Sequence, residues 1–282
     1  MTRPITVGAD GSAESLAAVH WAAREAVRRS LALRVVHAWE KSDAEDRTAD
    51  VREALSETAR DVTGRHPGLP VTTDLLEGDR VDALVAAAAD AETLVLGTRG
   101  HGAIVGFLLG SVGQQVIAES ARPVVLVRAG DLAESEAAGR EIVVGQQGGP
   151  DDSAAALEFA FETAAARGAG VRVVRAWSLP TVFTFSPASL KLADEAGGLE
   201  QYENKALAEA LRPWEERFPE VRVTQQVEMG SAGEVLLTAA APAQLLVVGR
   251  RAHRSAVGAR VGSVAHAAMH HAPCPVAVVP PA

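Results

Sequence analysis

Short, continuous apolar runs alternate along the chain with longer stretches in which apolar positions recur at helical spacing. Pro4–Gly8 is a brief apolar run closed by glycine and predicts a strand. In Ala13–Ser30 the residues Leu16, Val19, Ala23 and Val27 fall on one helical face, and Ser12 stands where an N-cap belongs. Leu33–Trp39 is β-branched and apolar, which predicts a buried strand, and the charged, alanine-rich Ala44–Gly64 predicts a surface helix. Leu69–Leu76 follows as a weaker strand, then Arg80–Ala89 as a helix, Glu92–Gly97 as a buried strand, Ser111–Ser120 as a short helix and Pro123–Arg128 as a last strand. Strands alternating with helices imply a parallel sheet covered on both faces, and strands without polar alternation fit that burial.

The pattern then repeats. LRVVHAW at 33–39 returns as VRVVRAW at 171–177, TLVLG at 93–97 as LLVVG at 245–249, Gly110-Ser111-Val112 as Gly262-Ser263-Val264, and Pro123-Val124 as Pro275-Val276. The offset is 137 residues at Gly8 and Gly145, 138 at Trp39 and Trp177, and 152 at Ser111 and Ser263. The second copy therefore carries one extra residue near Asp151 and fourteen more after Trp177, around Leu179–Gly198. A repeat of this length is a domain, not a solenoid unit. The expected fold class is α/β, with two repeated five-stranded parallel-sheet domains at 1–130 and 141–282, joined by a polar linker at 131–140. Each is doubly wound, and ligands of such sheets bind beyond the carboxyl ends of the strands where strand order reverses. The loops Gly8–Ser12 and Gly97–Gly110 can share one site only if the first and fourth strands are neighbours, which requires the order 3-2-1-4-5.

Composition narrows the function. The 282 residues carry 27 basic and 36 acidic side chains, a formal charge of −9, and 4% aromatics, which argues against a nucleic-acid partner. One cysteine, Cys274, excludes an intrachain disulfide framework and fits a reducing, cytoplasmic setting. Neither a signal peptide nor a membrane-length apolar run is expected.

The strongest chemical signal is Gly97-x2-Gly100-x9-Gly110-Ser111, fed by a strand and followed by a helix. Glycines admit close approach of an anion, and the free N–H groups of a helix start attract phosphate. The same pattern also fits a glycine loop with Ser111 as a plain N-cap. No GxxxxGK[ST] is present, and Gly100-His-Gly102 with Gly106 follows the fourth strand, not the first, which disfavours a dinucleotide fingerprint. His266, His270 and Cys274 recur at four-residue spacing, but Pro273 and Pro275 break the helix around the cysteine, so a packed cluster is expected over a metal site. Trp39 and Trp177 close the second strand of each copy, where packing is expected over nucleotide stacking.

The whole chain resembles a tandem universal stress protein. The G-x2-G-x9-G-[ST] spacing, the opening VGADGS, the VVHAW stretch and the Pro-Val-Val-Leu-Val ending all match that family. The resemblance implies ATP as ligand. Asp10 itself fits either a Mg²⁺ held through the phosphates or a plain turn cap beside Gly11. The resemblance also implies Ala9 and Asp10 against the adenosine, Ala38 lining the adenine pocket, and Gly97, Arg99, Gly100, Gly110, Ser111 and Val112 around the triphosphate. Gly113 stands where relatives often carry a second hydroxyl. It further implies a stress-response regulator that binds nucleotide, and copies paired through their last strands, Pro123–Arg128 and Pro275–Val279, with homodimerisation a further expectation. No Ser-His-Asp set and no paired carboxylates stand in a motif, so at most slow hydrolysis is expected; a slow ATPase on the same fold and a scaffold that no longer binds nucleotide stay open as alternatives. The second copy departs from the pattern: Gln147 replaces Asp10 and Ala252 replaces Gly100. A weaker set remains in Gly249, Arg251, Gly262, Ser263 and Val264, within a loop that also carries Arg250, His253, Arg254 and Arg260. Those arginines fit either an anion site built from side-chain charge or a solvated basic loop around a degenerate site.

Overall fold

The computed structural model describes residues 2–40, 48–98, 110–129, 136, 140–178, 198–251, 254–255, 258–259 and 261–281. In the first half the elements are β1 (Ile5–Gly8), α1 (Ala13–Arg29), β2 (Leu33–Trp39), α2 (Thr48–Arg65), β3 (Val71–Glu77), α3 (Arg80–Ala89), β4 (Thr93–Thr98), α4 (Ser111–Glu119) and β5 (Val124–Arg128). The second half repeats them as β6 (Ile142–Gly145), α5 (Ala154–Arg167), β7 (Val171–Trp177), α6 (Gly198–Arg217), β8 (Val223–Met229), α7 (Ala232–Ala240) and β9 (Leu245–Gly249). A two-residue ladder, β10 (Arg254–Ser255) with β11 (Gly258–Ala259), then precedes α8 (Ser263–His271) and β12 (Val276–Val279).

One sheet of ten strands contains both halves, in the order β3-β2-β1-β4-β5-β12-β9-β6-β7-β8. Each half thus has the expected 3-2-1-4-5 order with parallel neighbours. The halves join where β12 runs antiparallel to β5, pairing Val276 with Leu126 and Val278 with Val124. Continuous apolar strands feed two cores. Val7, Val35, Val95 and Val125 pack with α1, α2, α5 and α6 on one face. Val36, Leu94, Leu96 and Leu126 pack with α3, α4, α7 and α8 on the other. Successive strand residues point to opposite faces, so most positions along the middle of such a strand are apolar.

The α1–α5 seam holds buried charge. Glu25, 3% exposed, accepts from Arg29 at 2.8 Å and pairs with Arg167 at 2.8 Å, and Arg29 also donates to Thr163 at 2.5 Å. Arg167 lies over Trp21 at 5.2 Å, and Arg29 lies over Phe159 at 5.4 Å. Glu136, from the linker region, is gripped by Arg24 at 2.6 Å and Arg28 at 2.5 Å. Burial alone would raise the Glu25 pKa; the Arg167 and Arg29 guanidiniums outweigh it and hold the carboxyl below the ordinary carboxylate range. Two further arginines cross between halves. Arg128 donates to the Ala272 carbonyl after α8, and Arg250 donates to the Ile117 carbonyl near the end of α4. Each supplies a donor and positive charge to a helix C-terminus of the other half.

Candidate functional site

The carboxyl ends of β1, β2 and β4 lie side by side, because β1 pairs with both neighbours. Ala9 continues the β1–β2 ladder by donating its N–H to the Val36 carbonyl at 2.8 Å. Its own carbonyl accepts from Nδ1 of His37 at 2.7 Å, which places the ring proton on that nitrogen. Loop one then turns sharply. Gly11 has φ +81°, and the Asp10 carboxylate accepts from the Ser12 N–H at 3.0 Å and hydroxyl at 2.5 Å. Ser12 caps α1 as expected, its Oγ accepting from the Ser15 N–H at 3.2 Å. Asp10 thus organises the turn that opens α1 while remaining exposed.

Gly97, next to last in β4, lies against the first turn of α1. A Cβ there would lie 2.5 Å from the Glu14 carbonyl carbon and 2.7 Å from the Ser15 nitrogen. This glycine is needed by the fold itself, quite apart from any ligand. Gly110 differs. It is the N-cap of α4 with φ −60°, and among the described residues no atom lies within 4 Å of a Cβ at that position. Ser111 is exposed as the first helical residue, so the N-cap role falls to Gly110, which has no side chain to bond the helix end. The first intrahelical bond runs from the Gln114 N–H to the Gly110 carbonyl, so the N–H groups of Ser111, Val112 and Gly113 point out of the helix start. That donor set fits a phosphate. Because α4 leads back to a parallel strand, its start lies at the same sheet edge as loop one. Val112 of α4 and Ala38 of β2 both pack on the core of that face. Arg99, Gly100 and His101 lie outside the described residues.

In the second half, the Gln147 N–H donates to Ser153 Oγ at 3.0 Å, as Asp10 N–H does to Ser15 Oγ at 3.2 Å. These pairs place the single inserted residue between Gln147 and Ser153, where Asp152 accepts from the Gly149 N–H at 2.7 Å. The larger insertion falls between Trp177 and buried Leu207, with 179–197 outside the described residues. Gly249 is exposed, and among the described residues a Cβ there would meet only Ala156 at 4.0 Å. Gly262 is the N-cap of α8, Ser263 its exposed first residue, and Val264 packs on the adjoining core. Arg251 donates to Oε1 of Gln147 at 2.9 Å, and its side chain lies over Gly262. Arg250, counted with the basic loop in the sequence, belongs elsewhere. Its guanidinium reaches α4 of the first half, and burial lowers its pKa. Ala252, His253 and Arg260 lie outside the described residues, and of Arg254 only the backbone is described. α8 stops at His271, so buried Cys274 leaves the line of His266 and His270, as the prolines predict. Among the described residues no group of three or more His, Cys, Asp or Glu is placed to hold a metal ion. Trp39 is buried and Trp177 half-buried at the ends of their strands. Among the described residues, no helix is long and apolar enough to cross a membrane.

The profile of the Universal stress protein family matches residues 1–128 and again 139–280. The chain belongs to the universal stress protein family. A universal stress protein of Mycobacterium tuberculosis is 31% identical over 289 residues, covering 97% of this chain and 96% of its own. One from Mycolicibacterium smegmatis is 32% identical over 295 residues, covering 98% and 97%. The crystal structure of a universal stress protein from Archaeoglobus fulgidus superposes with a TM-score of 0.74 at 18% identity, covering 99% of this chain and 98% of that one. The tandem family fold is thus common to both lines of comparison.

Three residues of this region escaped the sequence reading: His37, Gln146 and Arg175. The signal was present in the repeat itself, where LRVVHAW and VRVVRAW differ at the position of His37 and Arg175.

Proposed function

We propose that the first half binds ATP and that occupancy biases the conformation or partner choice of a stress-response regulator. The observation that carries this reading is the start of α4: a glycine N-cap followed by N–H groups that point out of the helix, at the sheet edge shared with Asp10, with no described residue crowding the cap. Family membership supports it. Ala9 and Asp10 would flank the adenosine, Ala38 the base, and Gly110, Ser111 and Val112 the phosphates, with Arg99 and Gly100 completing the loop. Mg²⁺ would arrive with the phosphates and keep most of its waters, since Asp10 is the one carboxylate the reading assigns to it. The units are a domain at 1–130, a linker at 131–140 and a second domain at 141–282. Their antiparallel β5–β12 pairing supports an intrachain pseudo-dimer, and a cytoplasmic location fits the reading.

Denaturing the purified protein and identifying the released nucleotide tests the proposal, and calorimetric titration measures its stoichiometry. The expected result is one tight ATP per chain, in the first half. Two sites of similar affinity, or none, would overturn it. A turnover assay separates binding from catalysis: a rate of about 1 s⁻¹ or above would make the protein an enzyme.

A further inference from the structure

Loop one of the second half is fastened by side chains that have no counterpart in the first. Arg175 stands where the first half has His37, and Gln146 where it has Ala9. Nη1 of Arg175 donates to Oε1 of Gln146 at 2.5 Å and to the Gly148 carbonyl at 2.9 Å, while Nε donates to Glu203 of α6 at 2.5 Å. The Arg175 side chain is 13% exposed and that of Glu203 20%. Gln146 is 3% exposed, and its Nε2 turns back to the Gly148 carbonyl at 3.3 Å. One arginine therefore ties β7, loop one and α6 together.

In the first half the equivalent place is bordered by Ala9, with its single methyl, and by a His37 ring turned onto a backbone carbonyl. That is where the proposed function puts the adenosine. We infer that Gln146, Arg175 and Glu203 form a latch that closes the second half against nucleotide, and that these residues decide which half takes the ligand. The inference rests on the nucleotide reading of the first half. To enter, an adenosine must displace a buried amide and part a shielded ion pair, and a carboxylate left alone in such a place is strongly disfavoured. Arg251 bonds Gln147 beside the Gly262 N-cap, but it is exposed and is not part of the latch.

The test uses the full chain with two variants: Glu203→Gln, and the double change Gln146→Ala with Arg175→His, which restores the first-half residues. Hydrogen exchange at residues 146–149, without nucleotide, reads the latch alone. At least tenfold faster exchange is expected in both variants, with the fold of each retained by far-ultraviolet circular dichroism. ATP titration reads the consequence: stoichiometry rises from one in the parent to two in the double variant. Unchanged exchange in folded variants overturns the latch. Faster exchange with stoichiometry still at one overturns its role in choosing the half. If the parent binds no ATP at all, the nucleotide reading fails, and the exchange measurement still decides whether the latch exists.

Discussion

A Cβ on Gly97 would meet the Glu14 backbone at 2.5 Å, whereas one on Gly249 would meet Ala156 at an ordinary 4.0 Å. The same letter in the same repeat position thus answers to different constraints. Gly97→Ala is expected to cost about 1–3 kcal/mol, the scale of overpacking a tight contact. Gly249→Ala should stay within about 0.5 kcal/mol. Urea unfolding of the two variants checks this. At Gly110 the backbone is in a region open to any residue, so Gly110→Val should cost no more than about 1 kcal/mol as a poorer N-cap. ATP affinity should nevertheless fall at least tenfold, about 1.4 kcal/mol, in calorimetric titration. Asp10→Ala should weaken ATP, while Gln147→Ala should leave total occupancy almost unchanged; equal losses would mean two equivalent sites. The glycine spacing and the aspartate were legible in the sequence because their signals are local. That Gly97 serves packing was not, since the contact joins residues far apart in the chain and no periodicity reports it.

At the scale of elements, boundaries read from the pattern agree with the structure within a residue or two wherever the residues are described; α3, Arg80–Ala89, agrees at both ends. The strands were legible because both faces are buried, and the parallel order because loops one and four had to meet. The arginines that leave their own half were not legible. Arg250 sits in a basic run that reads as a solvated loop, yet its guanidinium reaches the carbonyl of Ile117. A surface arginine and a bridging arginine have the same letter context. The seam makes a pH prediction. Glu25 and Glu136 are both held below the ordinary value of 4.5, against the effect of burial, by Arg167 and Arg29 and by Arg24 and Arg28 respectively. A carboxylate with a depressed folded pKa contributes stability that is fully present above its unfolded pKa. That contribution is lost as pH falls through the folded value. Thermal unfolding between about pH 3 and 7 should therefore show a steep acid limb. Glu25→Gln should flatten that limb and cost about 3–5 kcal/mol at neutral pH, because two buried guanidiniums lose their carboxylate.

On the scale of the whole molecule, the join is a strand edge. β5 is buried at every position, and β12 covers it. An isolated first half, residues 1–129, would present this apolar edge to solvent, and unpaired edges of that kind recruit other chains. It should run as a dimer or larger species in size-exclusion chromatography with light scattering, and adding residues 140–282 should convert it to a one-to-one complex. A monodisperse monomer would contradict the prediction. The duplication was legible from recurring motifs, since two copies of one pattern imply two copies of one fold. The side chains that set the halves apart required the contacts.

Those contacts give the two halves unequal standing as partners. By the repeat offset, Arg29 and Arg167 occupy equivalent positions, as do Trp21 and Phe159, each arginine lying over the other half's ring. Glu25, however, is matched by Thr163. Two copies of the first half would bring a carboxylate for each arginine. Two copies of the second would bury a pair of arginines with none at that position. At this seam the duplication is no longer interchangeable: the first half carries the carboxylate that both arginines use, and the second relies on the first for it. Once one glutamate serves two arginines, a substitution at Glu25 strikes both sides of the seam at once, while one at its twin position, buried Thr163, takes a single acceptor from Arg29.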